Sequence, residues 1–227
     1  MAINLRRTSD AHQRGVKLVV YGQSGSGKTF LIPSLPNPVV LSAEGGLLSI
    51  QRADIPYIEI KTMAQLMEAY QWLTESAEAK GFQSVAIDSI SEVAEVVLAE
   101  ELKRNKDGRA AYGELNTVMT GMVRAFRDLP NKHVLFTAKC EKSTDETGRI
   151  LYAPSMPGKS LSMQLPYLVD EVLALRVEKD ADGATQRALM CDSDGLWLAK
   201  DRSGALGAWE TADLGEIIKK IGGQHAE

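Results

Sequence analysis

The sequence predicts an α/β fold: a mainly parallel sheet with helices on both faces and antiparallel strands added toward the C-terminal side. Three observations carry that expectation. Short apolar runs alternate with longer stretches of helical spacing between residues 16 and 138. Several runs are apolar throughout, as strands buried on both faces of a parallel sheet must be, and each closes on a polar or charged residue. After residue 168 the rhythm changes, and Asp192-Ser193-Asp194-Gly195 gives a turn signal between two further runs.

The elements follow in order. Met1 to Gly15 is polar, carries Arg6, Arg7 and Arg14, and reads as a frayed leader or as an arm that docks on a neighbouring subunit. Val16 to Tyr21 is the first strand. It runs into Gly22-Gln23-Ser24-Gly25-Ser26-Gly27-Lys28-Thr29, and Phe30, Leu31 and Ile32 then open a helix. Strand, glycine-rich turn and helix are the setting of a P-loop, whose backbone N–H groups cradle a phosphate chain. Pro33, Pro36 and Pro38 stop that helix. Val39 to Ala43 makes a short buried strand that finishes at Glu44, and residues 55–60 make another. Met63 to Lys80 has helical spacing, with Gly81 as its cap.

Ser84 to Ser89 is a strand that delivers Asp88 at its end, and Ile90 to Lys106 continues as a helix. A polar, glycine-bearing loop is expected from Asn105 to Gly113, then a helix from Leu115 to Leu129, ended by Pro130. His133 to Ala138 is a strand with Lys139 at its end. Residues 140–160 show little periodicity and read as a long loop, a feature usually reserved for function. Leu168 to Glu178 reads as a strand, Ala188 to Cys191 and Leu196 to Lys200 as a hairpin, and Leu214 to Ile221 as a terminal helix. Residues 1–14 are thus expected to form an arm, 15–222 one domain, and 223–227 a flexible tail.

Composition narrows the class. The 227 residues include 44% hydrophobic and 25% charged residues, ordinary values for a globular domain. With 26 basic against 30 acidic residues the net charge is −4, so any contact with nucleic acid must be local. Cys140 and Cys191 stand apart from any CxxC pair and the three histidines are scattered, which argues against a disulfide framework or zinc site and fits a reducing cytoplasm. No apolar run approaches the roughly 20 residues that span a bilayer, and a membrane partner is not expected.

Ligands of such sheets bind at the carboxyl ends of the strands. Gly22 to Phe30, Glu44, Asp88 and Lys139 all fall there. Lys28 is expected to reach the β- and γ-phosphates of ATP. Thr29 and Asp88 are expected to hold Mg²⁺, Asp88 closing an apolar strand about 60 residues after Lys28; an aspartate before a helix also serves as an N-cap. Ser89 follows where many P-loop ATPases place a glutamate, so the general base must lie elsewhere. Glu44 fills that role if its strand neighbours the P-loop strand, with Glu92 in reserve.

Together these residues resemble the RecA family core: P-loop, glutamate closing the next strand, Asp88-Ser89 closing a third and Lys139 closing a fourth, where RecA has a glutamine that senses the γ-phosphate. The resemblance implies a RecA-like three-layer α/β/α core over about residues 15–210. It also implies DNA-binding segments at the two loops, 105–113 and 140–160, with Lys106, Arg109, Lys142, Arg149, Tyr152 and Lys159 as contacts. Tyr152 and Met156 would stack or wedge against bases. Lys200-Asp201-Arg202 resembles the Lys-x-Arg element of RadA and DnaB-type helicases, whose two cations reach a neighbour's triphosphate.

A bare core of this size resembles the small phage-encoded recombinases of the single-strand annealing group. That likeness implies an ATPase stimulated by single-stranded DNA, assembled as a ring or filament in the cytoplasm of a bacterial host. Its ATP would be hydrolysed at subunit interfaces, and a single-strand-binding protein is a further candidate partner. The competing readings are a small-molecule P-loop kinase and a switch or motor ATPase without recombinase activity. A GTPase is disfavoured because no Asn-Lys-x-Asp motif follows the fourth strand.

Overall fold

The computed structural model describes residues 15–144, 147–179 and 182–223. The expected N-terminal arm and the last four residues of the expected tail lie outside them. The first strand, β1 (Lys17–Gly22), sits inside a single mixed sheet with β2 (Pro38–Ser42), β3 (Tyr57–Glu59), β4 (Ser84–Asp88) and β5 (His133–Thr144). β6 (Ile150–Ser155), β7 (Glu171–Lys179), β8 (Thr185–Met190), β9 (Lys200–Asp201) and β10 (Trp209–Thr211) complete it. The strand order is β10-β8-β7-β1-β5-β4-β2-β3, with β6 on β5 and β9 on β7. From β7 to β3 every pairing is parallel, whereas β6, β8, β9 and β10 pair antiparallel.

Side chains alternate across the strands, so the continuous apolar runs feed two cores. Val19, Tyr21, Val39, Leu41, Val85, Ile87, Val134 and Phe136 face one side. There they meet α1 (Met63–Glu75), α2 (Ile90–Arg104), α3 (Gly108–Arg127) and α4 (Lys159–Leu168). Leu18, Val20, Val40, Ala86, Leu135 and Leu173 face the other, under Leu31, Ile32, Ile50, Leu214 and Ile217. That second layer consists of two 3-10 segments, Thr29–Ser34 and Leu47–Ala53, and α5 (Leu214–Gly223). The α/β expectation therefore holds, with one face covered by four helices and the other more lightly.

Five local expectations are corrected. The helix after the P-loop is a six-residue 3-10 segment, Thr29–Ser34, that takes in Pro33 instead of stopping before it, and it goes no further because the proline removes a donor and crowds the preceding turn. The helix from Met63 stops at Glu75, where Ser76 turns extended, and Gly81 belongs to a separate 3-10 turn rather than capping it. The loop expected at 105–113 is mostly the first turns of α3, since the Asp107 side chain caps the helix by accepting the N–H of Arg109. The loop expected at 140–160 is a β-hairpin followed by α4: β5 continues to Thr144 and β6 returns beside it, Lys139 opposite Ser155 and Thr144 opposite Ile150. The hairpin expected across Asp192–Gly195 does not form. β8 pairs instead with β7 and β10, and Lys200–Asp201 pairs with Glu171–Val172.

Candidate active site

The turn after β1 curls because Gly25 (φ +75°) and Gly27 (φ +100°) take left-handed conformations that side chains resist. It forms the floor of a cavity of about 600 Å³ lined by Gly22, Gly25, Gly27, Lys28, Thr29, Phe30, Glu44, Ser49, Lys139, Cys140 and Arg187. Lys28 Nζ donates to the carbonyls of Gly22 (3.0 Å) and Gln23 (3.1 Å). Burial lowers its pKa, opposed by the carboxylates of Glu44 and Asp88. Ser26 Oγ is buried in the loop with no hydrogen-bond partner, a donor held where the loop cradles its ligand.

Asp88 closes β4 and is 1% exposed. Thr29 Oγ1 donates to its Oδ2 (2.9 Å) and Thr137 Oγ1 to its Oδ1 (2.5 Å). Burial raises its pKa, and the two hydroxyl donors pull it back. A hydroxyl and a carboxylate joined in this way, beside a phosphate cradle, are a hard oxygen pair suited to Mg²⁺, which keeps several waters and takes few protein ligands. The donor set fits Mg²⁺ and a nucleoside triphosphate: Thr29 and Asp88 would hold the metal, the loop and Lys28 the phosphates.

Glu44 reaches the cavity, but not by the expected route. β2 is not a neighbour of β1; β4 and β5 stand between them. β2 lies beside β4, and the Ala43 and Glu44 N–H groups both donate to the Asp88 carbonyl. Ser89 Oγ then donates to Glu44 Oε1 (2.5 Å) while accepting the N–H of Glu92 as the cap of α2. Ser89, which displaces the usual glutamate in sequence, is thus the residue that orients Glu44. Glu92 is committed elsewhere: its Oε2 accepts from Lys139 Nζ at 2.7 Å, and that bond raises the lysine's pKa. Lys139 is held through its backbone as well, its N–H donating to Ser91 Oγ (2.9 Å).

Lys200 and Arg202 do not join the cavity of their own chain. Lys200 stands opposite Val172, which is paired with Val19, below the loop that follows Gly22. Its Nζ donates to the Pro166 and Val169 carbonyls, and Arg202 donates to the Tyr167 carbonyl (3.2 Å) and Asp170 (3.1 Å). Both cations thereby satisfy the carbonyl end of α4, the helix terminus that favours positive charge. The turn that carries them is pinned by a carboxyl pair. Glu171 accepts the N–H groups of Arg202 and Ser203 and is hydrogen-bonded to Asp201.

Burial, then the hydrogen bond and charge of Asp201, push the Glu171 pKa up to about 8, while for Asp201 burial is outweighed by several hydrogen bonds that lower its pKa. Glu171 thus keeps a proton that the unfolded chain releases above its ordinary carboxyl pKa. The Glu171 contribution to stability should fall as pH rises from about 4.5 toward 8; up to about 6.5 it is opposed by His133, whose burial lowers its pKa to about 4, so the net fall lies between about 6.5 and 8. Urea midpoints at pH 5.5 and 8.5 check this. Glu171→Gln is expected to show a smaller drop than the wild type, and an equal drop would remove Glu171 as the cause.

The nucleic-acid candidates divide. Lys142 and Arg149 lie exposed on the hairpin, and Lys106, Arg109 and Lys159 are exposed around the starts of α3 and α4. The structure brings those two starts together, since the Tyr112 ring lies 3.3 Å from where a side chain on Gly158 would begin. Tyr152 and Met156 are corrected. Met156 is 5% exposed in the core and cannot wedge between bases, and half-buried Tyr152 has one ring face taken by Trp197, with centroids 4.3 Å apart, which leaves it at most the other. Arg187 and Thr137 were not legible as site residues. Thr137 sits inside an apolar strand, and only the pairing of β8 with β7 carries Arg187 to the loop.

Among the described residues no helix is long and apolar enough to cross a membrane. The chain is similar to the KaiC-like protein of the hyperthermophilic archaeon Pyrococcus horikoshii OT3, with 15% identity over 78% of each chain and a TM-score of 0.43. No curated protein matches it. A family model described as an AAA domain matches residues 14–203, most of the chain, and the protein therefore belongs to that AAA-type P-loop NTPase family.

Proposed function

We propose that the protein is an ATPase that hydrolyses ATP to ADP and phosphate and couples turnover to single-stranded DNA, promoting annealing or pairing from a self-assembled ring or filament. One observation carries the reading. Lys139 and Cys140 line the cavity and are also the first residues of the β5–β6 hairpin that runs beyond the sheet with Glu141 to Thr144 exposed. A change at the phosphate end of the cavity would be passed along one strand into that hairpin. The hairpin base is fixed to the P-loop strand, since Tyr21 Oη donates to the Tyr152 carbonyl (3.0 Å) and Tyr152 stacks on Trp197.

In the reaction, Glu44 would take the proton of the attacking water, oriented by Ser89. Lys28 and the loop amides would stabilise charge on the transferring phosphoryl group. Bound Mg²⁺ supplies further neutralisation of the phosphates. The hairpin sequence carries Lys139, Lys142 and Arg149 against Glu141, Asp145 and Glu146, so its net charge per subunit is close to zero. Repetition of one hairpin per subunit along an assembly would multiply a weak contact.

Phosphate release with and without single-stranded DNA tests the reading. Stimulation of several-fold, stronger with single-stranded than duplex DNA and falling as salt rises, is expected. Absence of stimulation together with phosphate transfer to a small acceptor would replace it with the kinase reading.

A further inference from the structure

We infer that Arg187 is a phosphate-binding cation that the chain supplies to its own nucleotide site, aimed at the terminal phosphate of ATP. The inference rests on reading the cavity as the triphosphate site. Arg187 lies on β8, opposite Val177 of β7, and β7 is the parallel neighbour of β1. It therefore approaches the P-loop from the opposite side to Lys139, which comes from β5 on the other flank of β1.

The side chain is already docked on the loop. Its Nε donates to the Ser26 carbonyl at 2.9 Å. A methyl group built on Gly27 would lie 2.9 Å from Nε, 3.5 Å from Cδ and 3.7 Å from Cζ, so the guanidinium packs against the loop at Gly27, where it also lines the cavity. That contact uses one of five donors. Among the described residues neither Nη1 nor Nη2 has an acceptor, and no carboxylate pairs with the group. Lys139, by contrast, is neutralised by Glu92.

A planar fork with two uncommitted N–H faces, anchored by its third nitrogen at the rim of a phosphate cradle, matches the bidentate geometry of phosphate oxygens. Lys28, Lys139 and Arg187 thus give one chain three cations around the cavity. The site does not depend on a neighbour for its arginine. The alternative is that the Nε bond merely latches the loop. The two differ in what they do to ATP relative to ADP, because a latch serves both nucleotides and a terminal-phosphate ligand serves only one.

The experiment is equilibrium binding of fluorescent ADP and of a fluorescent non-hydrolysable ATP analogue, with Mg²⁺, to the full chain as wild type, Arg187→Ala, Arg187→Lys and Lys28→Ala. Arg187→Ala should weaken the ATP analogue about 10- to 100-fold, the loss expected for a charge-assisted contact, and change ADP affinity less than about threefold. Arg187→Lys should recover part of the loss. Equal weakening for both nucleotides, or no change for either, overturns the proposal. If wild type and Lys28→Ala bind neither nucleotide, the reading of the cavity itself fails, which is a separate outcome. Mixing Arg187→Ala with Glu44→Gln should restore no turnover, since both residues serve one cavity. Recovered turnover would place the arginine in a neighbour's site and overturn its action in cis.

Discussion

Lys28→Ala is expected to lower ATP turnover by about 100- to 1,000-fold, to the edge of detection, while leaving the fold intact. The size follows from what the side chain does. Its ammonium sits on the Gly22 and Gln23 carbonyls, half-buried and disfavoured as a charge, which primes it to exchange those carbonyls for phosphate oxygens. A preorganised donor of this kind is worth about 10²–10³ in rate when removed. The contact with the Gln23 carbonyl is exposed and that with Gly22 only partly buried, so water replaces much of the lost donor and the urea midpoint should move little. Steady-state phosphate release and a denaturation curve on the same preparation separate the two effects, and retained turnover would remove the P-loop from the chemistry.

Glu44→Gln is expected to lower kcat by about 10²–10⁴ with ATP affinity unchanged, the range for loss of a positioned general base. Glutamine keeps the shape and still accepts the Ser89 Oγ hydrogen bond, so positioning survives and proton acceptance does not. Glu92→Gln provides the contrast. Glu92 holds Lys139 in an ion pair, and its loss should alter the response to nucleotide rather than remove the base. If Glu92→Gln were the more damaging of the two, the assignment of the base would pass to it.

Much of this site was legible because its signals are local. The P-loop is a contiguous motif, and the runs that become β1, β2 and β4 are apolar on both faces, so their ends at Gly22, Glu44 and Asp88 marked the carboxyl edge of the sheet. Glu44 lines the cavity although the neighbour relation expected of its strand does not hold, because strand adjacency is set by long-range pairing and β2 reaches the site through β4. The outer half of β5 was hidden because residues 141–144 are exposed on both faces and carry no period. Gly108 and Gly113 disguised the start of α3, which its Asp107 cap nonetheless secures.

Lys200 and Arg202 show the limit of a short charge pattern. Two cations at alternating positions of an extended segment suit a phosphate clamp and the carbonyl end of a helix equally, and within the chain they serve the helix. Arg187 shows the converse. It lies in no motif, on a strand whose outer residues are exposed, and only the antiparallel pairing of β8 with β7 delivers it to Gly27.

The central claim is that the carboxyl ends of β1, β2 and β4, with Lys139 midway along β5, form an ATP-hydrolysing site around the Thr29–Asp88 pair. Phosphate release from ATP by the purified wild-type chain, with Mg²⁺ supplied or chelated and no acceptor added, tests it most directly. The account predicts ADP and phosphate in equal amounts with Mg²⁺ and almost none once the metal is chelated. No release, or release at the same rate after chelation, would contradict it.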